Sequence, residues 1–175
     1  CFRSFSVRKV LAGEKDEAVL KILREKINKT NSKIVTGEWD ALNLGSLADT
    51  SIDKIITDPP WGFYGAKGED LRKFYEDMLR EFTRVLKPNG RMMISDIVTE
   101  KDLPDEVRKS FPAWAECIGG ALKKTDYLSA IKKAGFEKIT IVSESTFSEP
   151  DLSEKIKGKI KNVQLIQTRT TCRPD

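Results

Sequence analysis

Histidine is absent from the 175 residues of this chain. Without an imidazole, a histidine general base, a Ser-His-Asp triad and a histidine metal site are all excluded. The three cysteines, Cys1, Cys117 and Cys172, are widely spaced and form no CxxC pair, and no apolar run approaches membrane-spanning length. These absences favour a cytoplasmic protein without a metal site or a membrane segment. Its chemistry would depend on carboxylates, backbone oxygens, thiols or a cofactor.

The chain has the length and composition of one folded domain. Hydrophobic residues make up 39% of it, which is enough to bury one core. The 31 lysines and arginines exceed the 27 acidic residues, so the net charge is +4. This small excess permits a polyanionic partner such as a nucleic acid but does not require one. We therefore expect residues 1–175 to form a single domain.

Predicted strands and helices alternate along the chain, which is the pattern of an α/β fold. Apolar spacing predicts a helix before the second strand, with Val19, Leu23 and Ile27 on its apolar face and Ala18 and Leu20 beside it, and another helix over 69–86. Strands are predicted at 7–13, 33–36, 52–57, 91–98, 136–142 and 159–171, the last two as an antiparallel edge.

Turn and cap residues mark the boundaries between some of these elements. Lys87-Pro88-Asn89-Gly90 is predicted as a turn before the strand at 91–98. Thr125 is predicted to cap a later helix and Gly135 to end it.

The motif Asp58-Pro59-Pro60-Trp61 directly follows the apolar strand at 52–57. Each proline fixes φ and removes a donor, so the backbone oxygens near Asp58 are held at set angles. A carboxylate, fixed carbonyl oxygens and an indole would suit a flat group that carries an amino nitrogen, since the oxygens accept its hydrogens and the ring stacks on its face. A strand end followed by an ordinary turn is the alternative interpretation.

This motif resembles the (Asp/Asn/Ser)-Pro-Pro-aromatic motif of class I S-adenosylmethionine-dependent methyltransferases that act on amino nitrogens of nucleic-acid bases or of glutamine. The resemblance extends over residues 7–92 and implies a Rossmann-like sheet with helices on both faces. It implies S-adenosylmethionine as the cofactor and Asp58, Pro59, Pro60 and Trp61 as catalytic residues. The acceptor that it implies is a nucleic acid, with RNA favoured over DNA, or a small molecule.

Two acids follow the first two predicted strands in the order of that family. In open α/β sheets, ligands bind beyond the carboxyl ends of strands, and an acid there commonly binds a ribose diol. The resemblance assigns Glu14 to the ribose hydroxyls of the cofactor, and Asp40 with Ala41 to its adenine. The alternatives are a solvated acid at a helix start for Glu14 and an Asx turn for Asp40.

Residues 93–136 resemble a second family, the arsenite methyltransferases. The resemblance rests on Ser95-Asp96-Ile97-Val98, on 103–108 and on the stretch Trp-Ala-Glu-Cys-Ile-Gly-Gly-Ala-Leu at 114–122. In that family, the cysteine at the position of Cys117 is an arsenic ligand. A soft thiolate suits trivalent arsenic, but a lone thiol binds it poorly, so two or three must converge. Cys172 is a candidate second ligand, and packing in an amphipathic helix is the alternative interpretation of Cys117.

A glycine-rich turn normally follows the first strand of this superfamily and holds the methionine part of the cofactor. The eleven glycines of this chain give no GxGxG spacing near its start. We therefore expect an amino-terminally truncated methyltransferase domain, with a missing segment or a partner completing the sheet between the strands that lead to Glu14 and to Asp58.

The main functional prediction is methyl transfer to an amino nitrogen, most favourably of an RNA or DNA base. Thiol-dependent methylation of arsenite is the alternative enzymatic hypothesis. A noncatalytic methyltransferase-like scaffold is the alternative from a different class, because the glycine-rich turn is missing.

Overall fold

The structure is a computed structural model, and it describes residues 7–27, 33–59, 71–108, 118–146 and 163–174. Its contacts divide the chain into two compact units, Cys1–Ser46 and Leu47–Asp175. The strands are β1 (Val10–Glu14), β2 (Ile34–Glu38), β3 (Ile52–Thr57), β4 (Leu86–Thr99), β5 (Leu122–Lys123), β6 (Phe136–Thr146) and β7 (Val163–Cys172). The helices are α1 (Glu17–Ile27), α2 (Leu71–Val85), α3 (Asp105–Arg108) and α4 (Lys124–Lys133).

The first unit contains the parallel pair β1–β2 and the helix α1 that connects them. Asp16 begins the helix, because its Oδ1 accepts hydrogen bonds from the N–H groups of Ala18 and Val19 at 2.9 and 3.0 Å. The predicted apolar face of α1 is wrong in part. Leu20 is its buried residue, whereas Val19 is 48% exposed.

The second unit is built on a mixed sheet with the strand order β3-β4-β7-β6, and β5 pairs with the carboxyl end of β4. β3 and β4 are parallel, and β7 is antiparallel to both β4 and β6. The antiparallel pairing predicted for the last two strands is therefore confirmed. The order along the sheet places β7 inside it and β6 at its edge.

One face of this sheet carries α2 and α4. Alternate side chains of β4 and β7 point to this face, as the twofold period of a strand requires. The buried residues here are Tyr75, Met78, Leu79 and Phe82 of α2, Tyr127 and Ile131 of α4, and Met92, Ile94, Asp96, Val98, Ile166, Thr168 and Thr170 of the strands. A second cluster, on the opposite face near the carboxyl end of β4, contains Ile97, Leu103, Val107, Ile118, Ala121 and Val163.

Two boundaries differ from the sequence prediction. The predicted turn at 87–90 lies within β4, where the register jumps from the pair Ile52–Leu86 to the pair Lys54–Arg91 and Asn89 takes a φ of 62°. The turn is accommodated as an irregularity of the strand because β3 continues alongside it. Lys123, not Thr125, is the N-cap of α4, and it makes no side-chain cap hydrogen bond.

Candidate cofactor and acceptor sites

Glu14 and Asp40 lie at the same edge of the first unit. β1 and β2 are parallel and in register to their last pair, Glu14 with Glu38, so their carboxyl ends meet. The Trp39 N–H donates to the Glu14 carbonyl at 3.3 Å and holds the two chain segments together beyond the strands. The structure thus brings together the two acids that the sequence assigns to the cofactor.

Local hydrogen bonds orient both carboxylates. Oε1 of Glu14 accepts the Asp16 N–H at 2.9 Å, and Oδ1 of Asp40 accepts the Leu42 N–H at 2.9 Å in an Asx turn. The other oxygen of Asp40, Oδ2, lies 3.8 Å from Lys15 Nζ, in an exposed ion pair that contributes little to stability. Ala41 is half-buried next to Asp40. One oxygen of each acid is therefore held by a backbone N–H.

Trp39 is a further residue of this edge that the sequence interpretation missed. Its indole lies over Gly13 and Gly37, which are register partners in β1 and β2. A Cβ at Gly37 would meet indole carbons at 2.5 Å, and a Cβ at Gly13 would meet the ring at 2.9 Å, so both strands need glycine here. Two glycines at matching positions in adjacent strands, followed by an aromatic residue, are the signal that could have revealed this packing.

Asp58 directly follows β3, beyond its last pair with β4, Thr57 with Ile94. Its side chain is exposed, yet partial burial raises the pKa of the carboxyl above its usual value. Pro59 is buried. Pro60 and Trp61 lie outside the described residues, so the acceptor-stacking role of Trp61 stays a prediction.

A buried polar group lies under the amino ends of α2 and α4, and the sequence interpretation missed it too. Asp96 of β4 is 1% exposed. Its Oδ2 accepts the Tyr75 hydroxyl at 2.5 Å, and its Oδ1 accepts the Ile97 N–H at 2.8 Å. The rings of Tyr75 and Tyr127 meet edge to face at 6.1 Å. The signal in the sequence is an acid at a core-facing position of a buried strand, which requires a hydrogen-bond partner.

These groups are electrostatically linked. Burial, and then the charge and hydrogen bond of Asp96, raise the pKa of Tyr75 well above its usual value, with a smaller contribution from Asp58. Burial and the charge of Asp96 also raise the pKa of Tyr127. Both phenols therefore stay protonated at neutral pH, and Tyr75 remains a donor to Asp96.

Cys172 is the cysteine that the described residues include, since Cys1 and Cys117 lie outside them. Cys172 is buried on β7, next to Thr171, which pairs with Arg91, and its Sγ lies 4.0 Å from the Thr83 carbonyl. Gln167 of β7 lies at the same level of the sheet as Asp58. Cys172 is five residues further along β7, so at about 3.3 Å per residue it lies about 16 Å from that level. The pairing of Cys172 with Cys117 as arsenic ligands stays a prediction, because Cys117 lies outside the described residues.

The described part of the chain contains neither a metal-binding cluster nor a membrane-spanning helix. No group of three or more cysteine, aspartate or glutamate side chains there has the spacing of a metal site. None of the helices in that part has both the length and the apolar character needed to cross a membrane.

Comparisons with known proteins agree with this architecture. The family described as "Methyltransferase domain" matches residues 11–135. Arsenite methyltransferase from Aquipseudomonas alcaligenes is 32% identical over 112 residues, which are 63% of this chain and 30% of the relative. The human arsenite methyltransferase is 39% identical over 61 residues, 35% of this chain and 16% of the relative. The chain thus spans less than a third of the length of these curated relatives.

A solved structure shows the same fold. The arsenic(III) S-adenosylmethionine methyltransferase of Chlamydomonas reinhardtii superposes with a TM-score of 0.71 at 20% identity, over 94% of this chain and 55% of that chain. The predicted Rossmann-like α/β fold is thereby confirmed. Because the family match covers most of the sequence, the chain belongs to the methyltransferase domain family, within the class I S-adenosylmethionine-dependent methyltransferases, and it resembles the arsenite methyltransferases among them.

Proposed function

We propose that this chain forms part of an S-adenosylmethionine-dependent methyltransferase that methylates trivalent arsenic bound to thiolates. The observation that carries the proposal is the 32% identity over 112 residues to an arsenite methyltransferase. The 39% identity of a 61-residue stretch to the human enzyme of that name supports it. These relatives favour arsenite as the acceptor over the amino nitrogen that the Asp58–Trp61 motif predicts.

The edge of the first unit fits the adenosine half of the cofactor. Carboxylate oxygens of Glu14 would accept hydrogens from the ribose diol, and those of Asp40 would accept the adenine amine, with Ala41 against the ring. S-adenosylmethionine supplies an electrophilic methyl group on a sulfonium. The contribution of Glu14 and Asp40 would be to bind and orient it.

A further segment would have to bind the methionine half of the cofactor, since the sequence has no GxGxG turn near its start. In the described residues, β3 pairs with β4 along one edge and no strand covers the other, and Ile56 is 82% exposed. We propose that an added strand with a glycine-rich turn, from another segment or a partner, pairs there. An exposed strand edge favours such an addition.

Methyl transfer to arsenic needs thiolate ligands that keep its lone pair available. The As–C bond forms from that lone pair while the C–S bond of the sulfonium breaks and its electrons leave with the thioether, so arsenic passes from the trivalent to the pentavalent state. Cys117 would supply one thiolate. Because Cys172 is buried far along the sheet, the other ligands would come from small thiols or from further cysteines.

The test is transfer of an isotope-labelled methyl group from S-adenosylmethionine to arsenite in the presence of glutathione. With the segment or partner that supplies the glycine-rich turn present, we expect methylated arsenic from the wild-type chain and at least a tenfold loss in Cys117→Ser, roughly the cost of one lost soft ligand. Cys172→Ala is the matched control, and it should keep activity once its folding has been checked. Equal activity of Cys117→Ser and wild type would contradict the arsenic-ligand role.

The amino-nitrogen acceptor remains the second candidate, favoured by the position of Asp58 at the end of β3 next to the buried Pro59. Asp58 and the Pro59 carbonyl would orient the amine and stabilise the charge that grows on nitrogen. In the same assay with RNA replacing arsenite, Asp58→Ala would abolish labelling and Cys117→Ser would not. Labelled arsenic with unlabelled RNA would remove this candidate.

A further inference from the structure

We propose that Tyr75 and Asp96 are positioning residues for the acceptor, and that their hydrogen bond fixes the amino end of α2 on β4 beside Pro59. The inference deepens the proposed function and rests on it. It bears on an acceptor presented at the carboxyl end of β3, where Asp58 and Pro59 lie. No residue of the motif itself makes this bond.

The strand register relates Asp96 of β4 to Pro59. β3 and β4 are parallel, and their last pair is Thr57 with Ile94. Continuing this register by two residues places Pro59 beside Asp96. Residues paired at one level point to the same face, and Asp96 lies on the face that carries α2 and α4. Pro59 and Asp96 are both buried.

Burial of the Asp96 carboxylate costs free energy because the group loses its hydration. A carboxylate that is 1% exposed loses nearly all of its hydration, and an apolar residue would fit this core position without that loss. The Tyr75 hydroxyl donates to one of its oxygens and the Ile97 N–H to the other. A polar pair kept at such cost favours the arrangement of α2 on β4 in which the phenol reaches the carboxylate.

Tyr75 lies near the first described residue of α2. The described part of α2 begins at Leu71, so Tyr75 stands one turn inside the end of that part. Arg72, also in the first turn, is 3.1 Å from Asp126 of α4. This ion pair is exposed on both sides, so it is weak, and the buried hydrogen bond of Tyr75 is the stronger anchor of this end of α2.

The two phenols, Tyr75 and Tyr127, differ in their hydrogen bonds. Tyr127 is as buried as Tyr75 and its ring meets the Tyr75 ring edge to face, but its hydroxyl faces Thr168 of β7 without forming a regular hydrogen bond, and it forms none to Asp96. Removing the Tyr127 hydroxyl therefore breaks no hydrogen bond to β4, whereas removing that of Tyr75 breaks the described hydrogen bond between α2 and β4. The chain thus contains its own matched control.

The experiment compares Tyr75→Phe with Tyr127→Phe in the full chain by amide hydrogen exchange. We expect Tyr75→Phe to speed exchange at Thr57, Asp58 and the first turn of α2 by about tenfold while β6 and β7 keep wild-type rates. Tyr127→Phe should leave all of these rates unchanged. Equal rates in Tyr75→Phe and Tyr127→Phe would overturn the inference.

Kinetics give the readout that a purely structural role would not move. Tyr75→Phe should lower kcat by about 10- to 100-fold, as misplacement of a reacting group does, with KM for S-adenosylmethionine unchanged. Asp96→Asn, which still offers an oxygen to Tyr75, should recover part of the loss seen in Asp96→Ala. An unchanged kcat in Tyr75→Phe would overturn the inference. If the wild-type chain transfers no methyl group in the presence of the added strand with its glycine-rich turn, the proposed function fails, and the exchange rates still decide the positioning.

Discussion

Two kinds of acid in this chain show how environment assigns a role to one functional group. Glu14 stands half-buried at the carboxyl end of a parallel strand, a place where an acid can accept hydrogens from a ligand. Asp96 is buried, and donors within the protein already occupy its oxygens. The first kind can bind a cofactor, and the second can only hold protein segments in place.

At the scale of single residues, we predict that Glu14→Gln lowers the affinity for S-adenosylhomocysteine about tenfold or more. The reason is that a hydrogen bond to a charged acceptor is worth about 1.5–3 kcal/mol. Isothermal titration calorimetry measures this loss. Glu38→Gln is the matched control, because Glu38 is the register partner of Glu14 and its replacement changes the net charge equally. An equal loss in both variants would indicate a general charge effect and contradict a ribose-binding role for Glu14.

At the scale of elements, α4 ends where the chain reverses into β6. Gly135 follows its C-cap with a φ of 99°, and its N–H donates to the Lys132 carbonyl at 3.1 Å. We predict that Gly135→Ala destabilises the chain by about 1–2 kcal/mol, because an L residue is strained in this conformation. The nearest atom to an added Cβ, Thr83 Cγ2, is 3.6 Å away, so crowding contributes little. Urea unfolding measures the change.

Gly45→Ala is the comparison for that variant, because Gly45 does not have a positive φ and an added Cβ would meet only the tip of the Asn43 side chain, at 3.0 Å. We expect it to change the free energy of unfolding by less than about 0.5 kcal/mol, as at most surface sites. If the two variants lose the same stability, strain at Gly135 is not the cause.

The elements show how far the sequence could predict this fold. Apolar spacing and turn residues predict α2, the strand at 52–57 and the helix end at Gly135, because these signals are local. The buried side of α1 could not be predicted, since several registers of its apolar residues are possible and packing chooses Leu20. The pair of Tyr75 and Asp96 could not be predicted either, since 21 residues separate them and only the folded sheet brings them together.

At the scale of the whole chain, the core is distributed unequally. The buried hydrophobic residues described in the first unit are Leu20 and Leu44, and the many others belong to the second unit. A two-stranded sheet with one helix buries little apolar area and is only marginally stable by itself. The second unit has a five-stranded sheet with helices packed on it, and it should be the more stable part.

The last prediction follows from this inequality. Amides of β1 and β2 should exchange hydrogen faster than those of β4 and β7, because they open at lower free energy. If Glu14 and Asp40 hold the cofactor, S-adenosylhomocysteine at a hundred times its Kd should slow exchange in β1 and β2, since ligand binding at that ratio stabilises the bound state by about 2.7 kcal/mol. Glu14→Gln should show less of this protection at the same ligand concentration. Protection confined to β4 and β7 would contradict a cofactor site on the first unit.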